Sequence, residues 1–564
     1  MDDFDDHDLF DHLVAVGRIA RDFAEAFSAS ETARLAGIWH DMGKYRPGFQ
    51  KYVRSPKGAE AHIEGRVPSR DKTHSAAGAL HAIERFGLSG RVLAYLIAGH
   101  HAGLGDWHGG LDDRLATNNA DTQRELDEAR AVAPAELLAL GEAPDLRRVP
   151  GGAAGFALWL RMLFSCLVDA DFLDTEAFMD GKKAAARAGY PTLSELAARF
   201  DAHMAGFAQT HSDKPVNRLR AEVLAQCRAR AAGKPGLYSL TVPTGGGKTL
   251  SSLAFALEHA RANGKRRIVY AIPFTSIVEQ TADIFARIFG AENVVEHHSQ
   301  AEADEKDETA RSRLACENWD APVIVTTNVQ LFESMFAART SRCRKLHNLC
   351  DSVIVLDEAQ CLPPEFLQPI LDALNLLTRH YGVTVVLCTA TQPALASKSY
   401  FDPTKNRRGL DDVAEIIADP GELYRRLKRV DVRLPDWARR STWEDVAREL
   451  AAEDCVLAVV NTRGDARRLW RLLQKEHPDT LHLSALMCGA HRAKVVADIR
   501  QRLADKRAGR DHRPLRVVST SLIEAGVDVS FPSVYRAFAG LDSIAQAAGR
   551  CNREGEQERG RVVV

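Results

Sequence analysis

Two short motifs hold the side chains best suited to chemistry on phosphates. The first, His40-Asp41 in the run His40 to Lys44, pairs an imidazole with a carboxylate, which suits a divalent transition metal better than calcium. The second, Pro243 to Thr249, contains three consecutive glycines and ends in Lys-Thr, as in loops whose backbone N–H groups bind phosphates. Their presence in one chain predicts metal-dependent cleavage of phosphodiesters combined with nucleotide hydrolysis.

Further histidines and aspartates accompany the first motif, and their order along the chain resembles the HD phosphohydrolase superfamily. The resemblance implies two metal ions bridged by Asp41, with one site completed by His12, His40 and Asp171 and the other by His74, His100 and His101. Asp169 competes with Asp171, and we favour Asp171 because an Ala-Asp pair before an apolar residue better fits the superfamily. Lys44 is expected to neutralise the phosphate that is cut. Two metals can stabilise both the attacking and the leaving oxygen.

The glycine-rich loop stands between an apolar run, Leu237 to Val242, and an amphipathic segment, Leu250 to Ala262, which is the strand, loop and helix order of a phosphate site. The predicted nucleotide ligands in the loop are Thr244, Gly245, Gly246, Gly247, Lys248 and Thr249. Asp357 and Glu358 follow another apolar run, so we expect Asp357 to hold Mg²⁺ through water and Glu358 to orient the attacking water. Gln360 stands where helicase superfamily 2 usually has Asp or His.

Later motifs follow in the order of that superfamily. Thr389-Ala390-Thr391 comes first, then Ser519 to Ser521 followed by Gly526 and Asp528, and finally the run Gln546 to Arg553. The last run resembles a helicase signature in which Arg550 and Arg553 act as arginine fingers from the second lobe. Arginine suits this role because its planar, permanently charged guanidinium can meet the negative charge that develops on the γ-phosphate. Segments expected to contact a nucleic-acid backbone are Pro273 to Ser276, Thr326 to Asn328 and Asn461 to Arg463.

These motifs require three kinds of element around them. Apolar residues recur at helical spacing up to about residue 205, which predicts an all-α domain over 1–210 with a loop or insertion near 103–155. Apolar runs then alternate with amphipathic segments, which predicts two RecA-like α/β lobes with parallel sheets at 218–400 and 441–564, joined by a connector at 401–440. The sequence ends in an apolar run that looks like the start of a further strand, so we expect a truncated chain.

Composition excludes several classes of protein. The 564 residues have a net charge of −2, so contact with a polyanion depends on local clusters such as Arg339 to Lys345, Arg425 to Arg433 and Lys506 to Arg516. The ten cysteines are scattered singly, which argues against a zinc ribbon or a disulfide framework. We find no signal peptide and no long apolar run, and therefore expect a cytoplasmic protein without a membrane partner.

The fusion of an HD domain to superfamily 2 motifs, in this order, resembles the CRISPR-associated Cas-three nuclease-helicase family of type I interference systems over essentially the whole chain. The resemblance implies a nuclease for single-stranded DNA that moves 3′ to 5′ with ATP, carries Fe, Mn, Ni or Co in its HD domain, and is recruited by the RNA-guided complex Cascade to the displaced strand of an R-loop. It also admits a phage-encoded inhibitor, and we expect the family's C-terminal domain to be missing from this sequence. The alternatives are a remodelling helicase whose HD domain is structural and an HD nucleotide phosphohydrolase that does not translocate.

Overall fold

The computed structural model describes residues 7–53, 74–116, 119–210, 215–299, 310–390, 395–402, 406–438, 440–524 and 527–564. A helical amino-terminal part precedes two α/β lobes, each built on a wholly parallel sheet, which confirms the predicted fold class.

The amino-terminal domain packs helices around a long central one, α9. Its helices are α1 Leu9–Phe23, α2 Ser30–Trp39, α3 Pro47–Val53, α4 Ser75–Phe86, α5 Gly90–Gly99, α6 Asp112–Arg114, α7 Ala120–Arg130, α8 Ala135–Leu138, α9 Gly152–Met179 and α10 Gly181–Ala186. The interval 103–155, expected to be a loop or insertion, therefore contains short helices.

Helix α9 has 28 residues and is long and apolar enough, by length and composition, to cross a membrane. Two thirds of its most apolar stretch is buried inside the protein, where it packs against α1, α2 and α5. Burial on several sides accounts for this apolarity, because a helix enclosed by protein needs no polar face there.

Lobe 1 follows helices α11 Leu193–Thr210 and α12 Pro215–Arg230. Its strands are β1 Leu237–Thr241, β2 Arg267–Ile272, β3 Val294–His297, β4 Val323–Thr327, β5 Ser352–Leu356, β6 Thr384–Thr389 and β7 Val413–Glu415, in the sheet order β3-β4-β2-β5-β6-β1-β7. Its helices are α13 Lys248–Asn263, α14 Thr275–Phe289, α15 Ala310–Asn318, α16 Asn328–Met335, α17 Thr340–Cys343 and α18 Leu367–His380.

Lobe 2 has a six-stranded sheet in the order β10-β11-β9-β12-β13-β8. Helix α19 Pro420–Arg426 leads into it, and the strands are β8 Val430–Arg433, β9 Cys455–Val460, β10 Leu481–Leu483, β11 Leu515–Thr520, β12 Ser533–Arg536 and β13 Gly560–Val563. The helices are α20 Trp443–Ala451, α21 Arg463–Gln474, α22 Gly489–Arg507 and α23 Leu541–Ala548.

The borders between the parts differ in detail from the sequence expectation. Helix α11 lies within 1–210, yet its buried residues Leu196 and Phe200 pack into the core of lobe 1. The segment 401–440 contributes β7 to the first sheet and β8 to the second. Each lobe therefore recruits an edge strand from the segment that joins them.

The helical domain and lobe 1 share one contiguous hydrophobic cluster. It joins residues of α1 and α9, such as Leu13 and Leu163, to strand residues such as Ile324 and Ile354. Lobe 2 has its own separate clusters. The first two parts are therefore packed as one body, which fixes the predicted metal ligands relative to lobe 1.

Candidate metal centre and nucleotide cleft

Asp41 lies at the centre of the predicted metal ligands and faces them with both carboxylate oxygens. His74 Nε2 and His100 Nε2 each lie 3.3 Å from its Oδ1, while His40 Nε2 lies 3.2 Å and His12 Nε2 3.7 Å from its Oδ2. Of the three groups of described residues that could hold a metal ion, two contain Asp41: one adds His12, His40 and Asp171, the other His74, His100 and His101. The structure thus brings all seven predicted ligands together, in the predicted division.

Helix ends orient two of these histidines. His40 follows the last residue of α2 and donates from Nδ1 to the Gly37 carbonyl at 2.7 Å, and His100 follows α5 and donates from Nδ1 to the Ile97 carbonyl at 2.6 Å. The final carbonyls of a helix have no partner within the helix, so they are available for these bonds. A proton fixed on Nδ1 leaves the Nε2 lone pair directed into the cluster, as a metal ligand requires.

The donor set fits a pair of divalent cations. His40 Nε2, His100 Nε2 and Asp41 Oδ1 are buried and have no hydrogen-bond partner among the residues that the structure describes. Buried polar atoms are normally paired, so such atoms facing one point indicate a missing partner of opposite chemistry. Imidazole nitrogens with carboxylates favour Mn, Fe, Co, Ni or Zn over Ca.

Electrostatics favour charged carboxylates here, and although burial opposes the shift, Asp41 and Asp171 raise the pKa of His40 to about 10, so metal binding at this imidazole releases a proton. Burial alone would raise the pKa of the Asp41 carboxyl, but the imidazoles of His40, His100 and His12 hold it well below its usual range. Burial likewise opposes ionisation of Asp171, yet His40 lowers its pKa to about 2. Burial and the neighbouring His100 lower the pKa of His101 to about 4, so this imidazole is neutral and able to ligate at pH 7.

Four further residues complete the surroundings. Lys44 Nζ contacts Asp41 Oδ2 and is partly exposed, at the mouth of the cluster. Asp174, which the sequence reading missed although it lies one turn after Asp171, accepts from His12 Nδ1 at 2.7 Å. His7 reaches the same Asp174 oxygen at 3.5 Å. Asp169, the rejected alternative to Asp171, points away and is paired with Arg344 at 2.7 Å.

Close packing of two backbone segments requires glycine at position 43. A Cβ atom built at this position would lie 2.1 Å from the carbonyl oxygen of His74. The glycine therefore allows the loop after Asp41 to touch the backbone of a ligand on another element.

The phosphate loop lies in a cavity of about 580 Å³ between the lobes. Gly245 and Gly247 have φ of +82° and +87°, a conformation that favours glycine, and α13 begins directly after them at Lys248. The cavity is lined by Thr244, Gly245, Gly247, Lys248, Thr249, Asp357, Glu358, Asp528, Arg550 and Arg553. Of the predicted nucleotide ligands, Gly246 packs beneath the loop against Val242, and Gly526 lies outside the described residues.

A chain of hydrogen bonds links the loop to the end of β6. Lys248 Nζ lies 2.8 Å from Glu358 Oε1, Gln360 Nε2 donates to Glu358 Oε2 at 2.5 Å, and Thr389 Oγ1 donates to Gln360 Oε1 at 2.9 Å. Burial raises the pKa of Asp357 to about 6, although Lys248 opposes the shift. Burial also opposes ionisation of Glu358, but Lys248 lowers its pKa. Gln360 therefore connects the two motifs directly, a role the sequence left undefined.

Lobe 2 presents its arginines to this cleft. Arg550 is buried, with Nε 3.0 Å from the Ile523 carbonyl, while Arg553 Nε lies 3.1 Å from Asp528 Oδ1. Gly549 packs on Thr244, since a Cβ there would lie 2.6 Å from the Thr244 methyl group. The second lobe thus touches the phosphate loop itself.

Two arginines that the sequence reading missed bind backbone carbonyls of the same loop. Arg220 on α12 donates from Nε to the Gly245 carbonyl at 2.9 Å, and Arg429 donates from Nη2 to the Thr244 carbonyl at 2.7 Å. Arg429 also donates to the Arg553 carbonyl. Arg429 falls in one of the basic clusters noted above, but nothing in sequence spacing separates a residue that holds a loop from one on a solvated face.

Side chains expected to contact a nucleic-acid strand are partly used inside the protein. Thr326 Oγ1 donates to the His297 carbonyl at 2.8 Å, Thr327 Oγ1 caps α16 at Gln330 N, and Thr462 Oγ1 caps α21 at Asp465 N. Thr326 and Thr327 are buried, so their role is to shape the loop rather than to present hydroxyl groups. Arg344 and Lys345 are buried as well, which corrects the expectation that their cluster lies at the surface as a unit.

Family models match three successive parts of the chain. The model described as HD domain matches residues 9–136, DEAD/DEAH box helicase matches 225–398, and CRISPR-associated nuclease/helicase Cas3, C-terminal, matches 452–556. They fall on the metal centre, lobe 1 and lobe 2 in turn.

Whole-chain comparisons agree with these matches. The CRISPR-associated nuclease/helicase Cas3 of Haloferax volcanii is 26% identical over 98% of this chain, which spans 75% of that relative. A crystal structure of T. fusca Cas3-AMPPNP has a TM-score of 0.67 at 17% identity and covers 100% of this chain and 74% of its own. A structure described as CRISPR RNA-guided surveillance complex, pre-nicking, has a TM-score of 0.58 at 17% identity over 99% and 72%. The two structures show a shared fold.

Proposed function

Because this chain belongs to the CRISPR-associated Cas3 nuclease/helicase family, we propose that it degrades single-stranded DNA with its HD centre while its two lobes draw the strand through by ATP hydrolysis. One observation carries the proposal: a buried carboxylate, Asp41, is shared by two groups of ligands on the same body as a phosphate loop, and Asp41 Oδ1, His40 Nε2 and His100 Nε2 have no hydrogen-bond partner among the described residues. A structural HD domain has no need for such a cluster.

The residues of the HD domain prepare a polar, anionic pocket for the reaction. Divalent ions bound there would activate a water molecule and stabilise the charge on the cut phosphate. Asp41 holds the two halves together, and the carbonyls of Gly37 and Ile97 keep His40 and His100 in the ligating tautomer. Lys44, partly exposed beside Asp41, offers a cation to the incoming phosphodiester.

The cleft residues support nucleotide hydrolysis in a comparable way. Loop N–H groups at the start of α13 attract phosphates, and Thr249 with Asp357 would hold Mg²⁺. The ammonium group of Lys248 pairs with Glu358. When that group contacts a bound phosphate instead, Glu358 becomes free to orient water. Arg550 and Arg553 approach from lobe 2 and meet the charge that develops on the γ-phosphate.

The remaining parts of the proposal follow from family membership. We propose 3′ to 5′ movement, Fe, Mn, Ni or Co as the HD metal, recruitment by Cascade to an R-loop, and a cytoplasmic role in antiviral defence. The likeness to a chain in the surveillance-complex structure supports the partner. Contacts to the DNA backbone are sequence-tolerant and weaken with salt.

The test is degradation of single-stranded and duplex DNA with and without ATP, in Mn²⁺, Co²⁺, Ni²⁺, Fe²⁺ or Mg²⁺. Asp41→Ala should abolish cleavage and spare DNA-stimulated ATPase, whereas Lys248→Ala should abolish ATPase and unwinding but leave single-strand cleavage. Full activity of Asp41→Ala would favour a remodelling helicase with a structural HD domain. An ATPase that ignores single-stranded DNA would favour a nucleotide phosphohydrolase.

A further inference from the structure

Helix α9 has two functional faces. Asp171 and Asp174 point toward the metal centre, where they contact His40 and His12. Ser165, Asp169, Phe172 and Glu176 recur at intervals of four, three and four residues, so they form one stripe along the other side of the helix. Every member of this stripe has a partner outside the helix.

Arg344 of lobe 1 holds the turn of α9 that carries Asp171. Its Nε lies 2.7 Å from Asp169 Oδ1, and its guanidinium carbon lies 4.6 Å from the centre of the Phe172 ring. These two contacts lie on either side of Asp171 in the sequence. A planar guanidinium can make both, whereas an ammonium is a point charge without a face to stack.

Neighbouring groups keep Arg344 and Asp169 in place. Asn318 Nδ2 donates to Asp169 Oδ2 at 3.0 Å, and Arg344 Nη1 lies 3.1 Å from Glu317 Oε2. One turn earlier on α9, the His347 backbone N–H donates to Ser165 Oγ at 3.0 Å. Asp169 is fully buried and Arg344 nearly so, which makes the pair rigid and costly to break.

The geometry points to Arg344 as a positioning residue of the HD centre, supplied by the helicase lobe. We infer that it fixes the rotation and height of α9 so that Asp171 meets His12 and His40. His100 and His101 of the other group depend on a different contact, because the loop after His101 is held by a hydrogen bond from Leu104 N to the Ala338 carbonyl at 2.8 Å. Loss of Arg344 should therefore weaken one metal position selectively. The inference rests on the proposed function only in taking the cluster to bind metal.

The test is Mn²⁺ titration of the metal-free full chain by calorimetry, without DNA or ATP. In the wild-type protein we expect two bound ions, assigned with His12→Ala for one position and His101→Ala for the other. Arg344→Met should weaken the position of His12, His40 and Asp171 by about 10- to 100-fold and leave the other within a factor of about two. Arg342→Met removes an exposed arginine that pairs with Glu333, and should match wild type.

Arg344→Lys provides a milder variant that keeps the buried charge, and should give an intermediate loss at the same position. Wild-type affinity at both positions in Arg344→Met would overturn the inference. So would an equal loss at both positions in Arg344→Lys, since that result indicates a general structural role. Wild-type protein that binds two Mn²⁺ ions but cleaves no DNA would contradict the nuclease function alone.

Discussion

Replacement of Gly43 by alanine should damage the metal centre through one contact. The added Cβ would lie 2.1 Å from the His74 carbonyl oxygen, and Cβ atoms essentially never come closer than 3.0 Å to another heavy atom. The two backbones must therefore separate by at least about 0.9 Å, the difference between these distances. Neither group is a flexible side chain, so the backbone of His74, of Gly43 or of both must shift, which disturbs the 3.3 Å approach of His74 Nε2 to Asp41 Oδ1.

A displacement of this size has a definite cost. Misplacing a reacting group by about 1 Å can reduce the rate about 100-fold. Overpacking of this kind costs about 1–3 kcal/mol of folding stability, which a body with a large shared core should tolerate. We therefore expect Gly43→Ala to fold, to lose about 100-fold in single-strand cleavage, and to bind more weakly the ion held by His74, His100 and His101.

The assays are a single-turnover cleavage rate with a labelled DNA strand, Mn²⁺ calorimetry, DNA-stimulated ATPase and a melting curve. Gly181→Ala provides the matched control, because nothing lies within 4 Å of a Cβ at that position on the same domain. ATPase should be unchanged in both variants. A Gly43→Ala protein with wild-type cleavage and two ions bound at wild-type affinity would refute the reasoning.

Three further outcomes are expected. Gln360→Glu places a carboxylate against Glu358 and should reduce the ATPase rate at pH 7 by about tenfold or more, a barrier increase of about 1.4 kcal/mol. The exposed control Gln474→Glu should leave the rate unchanged. Equal rates in the two variants would show that Gln360 does not contribute to ATP hydrolysis. Burial holds the pKa of His347 well below 6.5, and the charges of Arg267, Arg266 and Arg344 add to the effect. Ser165, Asp169 and Phe23 also face the ring. Below pH 6.5 the unfolded chain therefore binds a proton at this histidine that the folded chain does not. The contribution of neutral His347 to the free energy of unfolding is complete above pH 6.5 and falls by about 1.4 kcal/mol per pH unit below it. In urea unfolding, the stability of His347→Gln should therefore fall less steeply with decreasing pH than that of the wild type or of exposed His380→Gln. Mn²⁺ at about 100 times its dissociation constant should stabilise the protein by about 2.7 kcal/mol for each bound ion, and Asp41→Ala should remove the shift of the melting curve.

Sequence patterns predicted what depends on local order. The ligand motifs stand at helix ends or on helix faces, and the phosphate loop stands between a strand and a helix, so their chemistry and their surroundings are written in adjacent residues. Asp171 was separable from Asp169 only through a resemblance, and the structure gives the reason for the distinction: one faces the histidines and the other faces Arg344.

Contacts between distant segments left no comparable pattern. The reason for Gly43 lies in the backbone of His74, and the function of Arg429 lies in the carbonyls of Thr244 and Arg553. Strands of three or four residues, such as β7 and β8, are too short for a period to be recognised. Arg344 stood out only as one member of a basic cluster, and its burial could not be read from charge.

The hydrophobic cluster that runs from α9 into the sheet of lobe 1 also determines how the molecule comes apart. Because α1, α9 and β4 bury their side chains in the same interior, the HD domain and lobe 1 should lose structure in one cooperative transition, with lobe 2 melting separately. Heat or denaturant would then unfold the metal centre and the phosphate loop in the same step. The HD domain could not then remain folded after lobe 1 has unfolded, nor lobe 1 after the HD domain.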